Sequence, residues 1–395
     1  MRVALGIDVS KATLNYAILT DLGEIKKEGK VSNDLIGLET MLSLQQEYKA
    51  ETIFEATGVY SRRIQYFLAL NEIPYVKMNP LKAKKEMDTL RVTKNDRIDA
   101  IGLARLQLDK DYPYTVTEKE IYIELRYRHR FYQEIVTDSI TAKNRLKRAL
   151  QDTFSELENL YVGDNPIFYE IVKVFPHVNM VKNKSVVEIV ELLEKNTIGR
   201  VNSIRKKAEQ LIELAGKTST SCPKDSYIEQ EVIQWANKVI ETDKMKSEII
   251  EGMVELASQL TEFEIIKSIP GFGETSAVTL IAELGDIRRF RTPQKINAFI
   301  GIDLRFNDSG QRTTSGHITK RGSNLARKIM YQDVKNMLAT ASRTNDTSNY
   351  VTNWYYRRKE FEQNGSKKII IGAMDRTLRL IHHLVINDEM FERQE

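Results

Sequence analysis

Met1-Arg2-Val3-Ala4-Leu5-Gly6-Ile7-Asp8-Val9-Ser10-Lys11 opens the chain. Val3–Val9 is a short apolar run of strand-forming residues, and Thr13–Leu19 alternates apolar with polar. The two are predicted to pair around Ser10-Lys11-Ala12. Glu24–Val31 is polar but suits a third strand at an edge. Further on, Leu35, Leu38, Leu42 and Leu44 give Asp34–Tyr48 helical spacing. Glu51–Glu55 reads as a strand, Ser61–Asn71 as a helix with Ile64, Phe67 and Leu68 on one face, and Pro74–Met78 as another strand. Asn79-Pro80 then opens a basic, helical segment. Strands alternating with helices predict a sheet with helices packed on it.

Downstream the pattern turns helical. Apolar residues recur through Glu118–Leu160 at Ile121, Leu125, Ile135, Ile140, Leu146 and Leu150. Ser185–Glu194 and Ser203–Leu214 are shorter helices, and Ser226–Leu260 is a second long one. Two long amphipathic helices around a helical middle suggest an antiparallel coiled-coil arm, with a plain helical bundle as the alternative because the heptads are imperfect. From Phe263 a third region holds Ile269-Pro270-Gly271-Phe272-Gly273 before a helix over Thr275–Leu284, then a polar stretch Gly301–Gly322, then helices over Ser323–Ser342 and Lys367–Val385. The expected fold class is α/β plus α. An α/β domain spans residues 1–115, a helical or coiled-coil insert 116–262, and a mainly helical C-terminal domain 263–395.

Composition bounds the function. Of 395 residues 41% are hydrophobic, enough for real cores, and the net charge of +4 is too small to mark a nucleic-acid binder in bulk. Cys222 stands alone, which excludes an intrachain disulfide and a thiolate cluster. The five histidines are scattered apart from His382-His383, which argues against zinc. The N-terminus lacks the features of a secretory leader, and no apolar run nears the roughly 20 residues of a membrane span. A cytoplasmic protein without a membrane partner is expected.

Carboxylates carry the chemical signal. Asp8 ends an apolar strand in Gly6-Ile7-Asp8-Val9-Ser10-Lys11, and Glu55 ends another in Ile53-Phe54-Glu55-Ala56-Thr57-Gly58. An acid ending a buried strand is costly unless it is paired or holds a cation. Ligands of open sheets gather at the strand ends. Asp96 and Asp99, in Lys94-Asn95-Asp96-Arg97-Ile98-Asp99-Ala100, share a helix face. Singly, each acid reads as a cap, a turn or a solvated ion pair. Four converging acids would suit two magnesium ions and phosphate chemistry.

These boxes resemble the DEDD transposases of bacterial insertion sequences, a group related to the Piv-type DNA invertases and also called bridge-RNA-guided recombinases. The resemblance implies an N-terminal domain like the RuvC resolvase, an RNase H-like fold, and places the family's four metal-binding catalytic acids on Asp8, Glu55, Asp96 and Asp99. It is strong over 1–110 and 263–325 and weak between. In the C-terminal third it rests on Ile269-Pro270-Gly271-Phe272-Gly273, Phe299-Ile300-Gly301-Ile302, Asp308-Ser309-Gly310 and Gly316-His317-Ile318-Thr319-Lys320-Arg321-Gly322. The resemblance implies a serine nucleophile that links covalently to DNA. Ser309 matches best, with Ser315 as the rival. A serine beside glycine in a polar loop is open to a phosphate, with Arg305, Arg312, Lys320 and Arg321 near it in sequence. Asp99 is a candidate to activate the serine, across subunits as in the family.

Pro270-Gly271-Phe272-Gly273 reads equally as half of a phosphate-binding helix-hairpin-helix or as a tight turn. Basic stretches at Lys82, Lys84, Lys85 and Arg91, at Lys143, Arg145, Lys147 and Arg148, and at Arg357, Arg358 and Lys359 lie near aromatics and suit nucleic acid. Each alone reads as a solvated helix face. The partners implied are donor and target DNA, a guide (bridge) RNA and a homodimer or homotetramer, with Mg2+ as the cofactor. The competing reading is a metal-dependent junction-resolving nuclease without a covalent intermediate.

Overall fold

Alternation in the first strands decides which face of the sheet each residue serves. The computed structural model describes residues 1–87, 96–161, 163–197, 204–305, 308–309, 312–313, 317–345, 349–361 and 366–392. The chain divides into two compact units, Met1–Thr117 and Glu118–Glu395.

The first unit holds strands β1 (Val3–Val9), β2 (Thr13–Thr20), β3 (Ile25–Ser32), β4 (Glu51–Glu55) and β5 (Tyr75–Met78) and helices α1 (Leu35–Tyr48), α2 (Ser61–Leu70), α3 (Pro80–Met87) and α4 (Asp96–Lys110). The sheet runs β3-β2-β1-β4-β5. β1, β2 and β3 are antiparallel neighbours, and β4 and β5 join as parallel strands. β3 bears Lys26, Lys27, Glu28 and Lys30, charges that discourage further pairing at an open edge. Leu5, Ile7, Val9, Leu14, Tyr16, Ile18 and Phe54 pack with Leu38, Met41, Leu44, Ile64 and Leu68 of α1 and α2. The opposite face is narrower. Ala4, Ala17 and Leu19 meet Ala100 and Ala104 of α4, while Ile53, Val76 and Met78 meet Ala83, Leu103 and Leu106.

Gly6 sets how closely α4 lies on that second face. A Cβ there would stand 2.1 Å from the Ala100 carbonyl oxygen and 2.5 Å from the Ala104 nitrogen, so only glycine fits. Arg2 reaches the Leu108 carbonyl. Leu108 over Arg2 and Ala100 over Gly6 mean that α4 runs antiparallel to β1. Its first turn therefore lies toward the carboxyl end of that strand.

The second unit is built on α5 (Glu120–Thr153) and α10 (Tyr227–Ala257). They run antiparallel, since Arg128 bonds Gly252, Ser139 bonds Asp243 and Arg148 pairs with Glu231. Between them come α6 (Pro166–Val174), α7 (Asn179–Lys182), α8 (Val186–Asn196) and α9 (Ile204–Lys217). These close a core around Leu146, Leu150, Phe154, Phe175, Leu193, Leu211, Val232 and Val239. A second core joins the far ends of α5 and α10, through Tyr122, Leu125 and Met253, to α11 (Thr261–Lys267), α12 (Glu274–Leu284), α13 (Pro293–Ile300), α14 (Asn324–Thr344), α15 (Tyr350–Phe361) and α16 (Ser366–Asn387). Four two-residue strands are described within the polar stretch 301–322. β6 (Leu304–Arg305) pairs with β9 (His317–Ile318), and inside them β7 (Asp308–Ser309) pairs with β8 (Arg312–Thr313). No helix among the described residues is long and apolar enough to cross a membrane.

Candidate functional site

β1 and β4 run in parallel register from Ala4↔Glu51 to Ile7↔Phe54, so one step on Asp8 and Glu55 stand side by side. Both project to the α4 face, because their neighbours Ile7 and Phe54 lie in the core of the other face. Asn15 of β2 pairs with Asp8 across the antiparallel ladder and shares that face. Asp8, Glu55 and Asp99 are half-buried and Asp96 is exposed. Asp96 and Asp99 form the first turn of α4, where acids also suit the helix dipole.

The four acids share one edge of the domain but do not close into one cluster. Among the described residues no three His, Cys, Asp or Glu side chains are grouped so as to hold a metal. A physical reason lies in Arg97, which pairs with Glu28 at 2.6 Å and draws the first turn of α4 toward β3. At the other end of the helix Gln107 binds Glu51 of β4, so α4 crosses the sheet obliquely. The donor set itself is all carboxylate oxygen, without thiolate or imidazole, which is the preference of a hard divalent cation. Asn15 adds an orphan, since its side-chain nitrogen is buried with no hydrogen-bond partner among the described residues.

The opposite end of the same strands is closed. Arg2 grips Glu51 through two nitrogens at 2.8 Å each and Asp111 at 2.6 Å, and Gln107 binds Glu51 at 2.9 Å. The hydrogen bond from Arg2 holds the Glu51 carboxyl below the usual carboxylate range, against the opposing effect of burial.

Ser309 lies in β7 with its backbone paired to Arg312. The side chains of Ser309, Arg305 and Arg312, and the whole of Gly310, Ser315 and Gly316, lie outside the described residues. The base of this ribbon is clamped. Lys320 nitrogen donates to Gly301 at 3.0 Å, Ser323 nitrogen to Phe299 at 2.7 Å, and the Arg327 side chain to Ile300 at 2.6 Å. Ser323 caps α14 and also donates to Glu283 at 3.2 Å, whose other oxygen meets the buried His129 ring at 3.0 Å. Burial opposes ionisation of Glu283, but contact with His129 and with the more distant Arg130 keeps it below the usual range. Lys320 and Arg321 are exposed beside this anchor.

Gly271 serves packing. It has φ of +91°, and a Cβ would stand 2.4 Å from the Met337 backbone. The basic residues divide. Lys82 lies over the Tyr112 ring and near Glu86, while Lys85 is exposed. Arg145 stacks on Trp235, and Arg148 approaches Glu231 at 3.8 Å. Arg91 lies outside the described residues. Sequence reading missed Asn15 and the His129–Glu283–Ser323 link. The first shows in sequence only as an amide in an alternating strand, and the second has no local signal.

Known families now bear on this arrangement. A DEDD transposase model of the IS110 type matches residues 5–155, and a model of the transposase IS116/IS110/IS902 family matches residues 263–351. The chain is 21% identical over 373 residues to the insertion element IS116 uncharacterized 44.8 kDa protein of Streptomyces clavuligerus, covering 91% of this chain and 89% of that one. It is 22% identical over 154 residues to the transposase for insertion sequence element IS1111A of Coxiella burnetii, covering 39% of this chain and 41% of the relative. Thus the chain spans about four-tenths of the length of that relative. RuvC of T. thermophilus, solved with a Holliday junction substrate, aligns with 26% of this chain and 90% of its own at 10% identity and a TM-score of 0.22, too low to carry a fold argument. Together the matched segments place the chain in the transposase class. The chain belongs to the IS110 family of DEDD transposases.

Proposed function

We propose that this transposase cuts and exchanges DNA strands through a covalent serine–DNA intermediate, under the direction of a guide RNA. The observation that carries the reading is the side-by-side placement of Asp8 and Glu55 on one face of the sheet, at the edge where α4 begins with Asp96 and Asp99. The strand order, with three antiparallel strands followed by two parallel ones, supports an RNase H-like domain. Asp8, Glu55, Asp96 and Asp99 would supply oxygen ligands to magnesium, which when bound offsets charge on the scissile phosphate.

The chain's own residues do the rest. Ser309 attacks phosphorus through its hydroxyl oxygen, and the bond from phosphorus to one deoxyribose oxygen breaks. The serine proton passes to a base, for which Asp99, acting across subunits, is the candidate, and the departing oxygen takes up a proton. One phosphodiester replaces another, so no nucleotide is consumed. Attack by a second strand's hydroxyl reverses the step, frees the serine and joins the strands. Clamping of residues 319–323 to 299–303 supports a role for the ribbon as a held element, which favours a positioned nucleophile. Nucleic-acid contact is supported by exposed Lys320 and Arg321 and by Arg376, which stacks 3.6 Å from the Trp354 ring in a cavity also lined by Arg358 and Lys368. We assign the antiparallel α5–α10 pair to a coiled-coil arm of residues 116–262, between a domain over 1–115 and one over 263–395, and to assembly as a dimer or tetramer.

A denaturing gel tests this. Protein, magnesium, guide RNA and nicked element-end DNA should give a shifted covalent band. The band should vanish in Ser309→Ala and persist in Ser315→Ala. Cleaved DNA without a band, unaffected by either change, would instead indicate attack by water and a junction-resolving nuclease.

A further inference from the structure

Asn15 is 8% exposed, and its side-chain nitrogen has no hydrogen-bond partner among the described residues. An orphaned buried donor is rarer and costlier than an acceptor left with a spare lone pair. Other buried amides differ in this respect. Asn33, Gln45, Gln107 and Asn297 each leave an oxygen unpartnered, yet each donates through nitrogen, to Ser10, Ala50, Glu51 and Asp375 respectively. Asn15 alone among these holds a donor idle. The position is not random either, because register sets Asn15 directly opposite Asp8, where side chains are neighbours on one face. On the far side of Asp8 stands Glu55. The hydroxyl oxygen of Thr57, two residues past Glu55, is likewise buried without a partner among the described residues.

We propose that Asn15 is a positioning residue of the metal site, whose side-chain N–H donates to an oxygen carried by the cation bound at Asp8. Without DNA that oxygen is a water of the cation's shell. The same face of the strand carries the apolar Ala17 and Leu19, packed with Ala100 and Ala104 of α4, so an amide among them is out of keeping with its surroundings. A buried amide nitrogen left without a partner among the described residues costs the fold, and a ligand that completes its hydrogen bond accounts for it. The inference rests on the proposed metal-binding role of Asp8.

Manganese(II) alone is the probe, titrated by calorimetry into the full chain. Asn15→Leu is expected to bind it about tenfold more weakly, the loss typical of removing a hydrogen bond to a ligand shell, with no fall in melting temperature. Asn15→Ala should show the same weakening if the leucine variant fails to fold. Asp8→Ala should abolish binding. Wild-type affinity in the folded Asn15 variants, together with loss in Asp8→Ala, would overturn the role of Asn15 and leave the metal site standing. Absence of binding to the unaltered protein, or its retention in Asp8→Ala, would overturn the metal site and this inference together.

Discussion

The two ends of the β1–β4 strand pair make different use of the same materials. At the amino end a carboxylate, Glu51, is held by an arginine and a glutamine, and every part of that contact lies within the folded chain. At the carboxyl end Asp8 and Glu55 stand beside a buried amide whose nitrogen has no partner among the described residues. One end is closed by its own side chains, while the other presents hydrogen-bonding capacity that the described fold does not use. α4 spans both, with Gln107 at the first and its acidic first turn toward the second. On the proposed assignment, one sheet carries stability at its amino end and chemistry at its carboxyl end.

The difference can be broken by substitution. Asp8→Ala should lower strand cleavage by about 10^2–10^3-fold or more, the scale of losing a group that stabilises transition-state charge, while the melting temperature holds; a gel assay and a thermal melt on the same sample check this. Gly6→Ala strikes between the ends. A Cβ there meets the α4 backbone, so the variant should lose about 2–3 kcal/mol by denaturant titration, in the range of core overpacking. Arg2→Met should cost about 1 kcal/mol, discounted because the arginine is partly exposed, and should leave cleavage per folded molecule unchanged. The smallest effect is in pH. The folded Glu51 carboxyl titrates below its ordinary value of 4.5, so its contribution is complete above that pH and is lost as acidification proceeds through the lower folded value. Comparison of acid melts for the unaltered chain and Glu51→Gln should show that loss only in the former.

Much of the first unit was legible because its signals are local. The strand Val3–Val9, the helix over Leu35–Tyr48 and the edge strand Ile25–Ser32 follow from period and charge within a few residues. The long helices α5 and α10 follow equally from apolar spacing. Asp8 and Glu55 could be read as strand-end acids, and their meeting follows once β1 and β4 pair in parallel. Convergence of all four acids did not follow, because Arg97 has its own partner in Glu28, an attraction that no spacing in the sequence reveals. Asn15 escaped notice because an amide in an alternating strand looks like a solvent-facing residue until α4 covers that face. The ribbon around Ser309 is built from pairs of two-residue strands, too short to show a period. His129 and Glu283 join segments far apart in the chain, so only the folded core brings them together.

The most direct measurement sets the two ends against each other: cleavage of element-end DNA and thermal melting, recorded side by side for Asp8→Ala and Glu51→Gln. Asp8→Ala is expected to melt like the unaltered protein but not to cut, and Glu51→Gln to melt earlier but to cut normally when folded. Cleavage by a folded Asp8→Ala protein would contradict the assignment of the carboxyl end of the sheet as the reactive one.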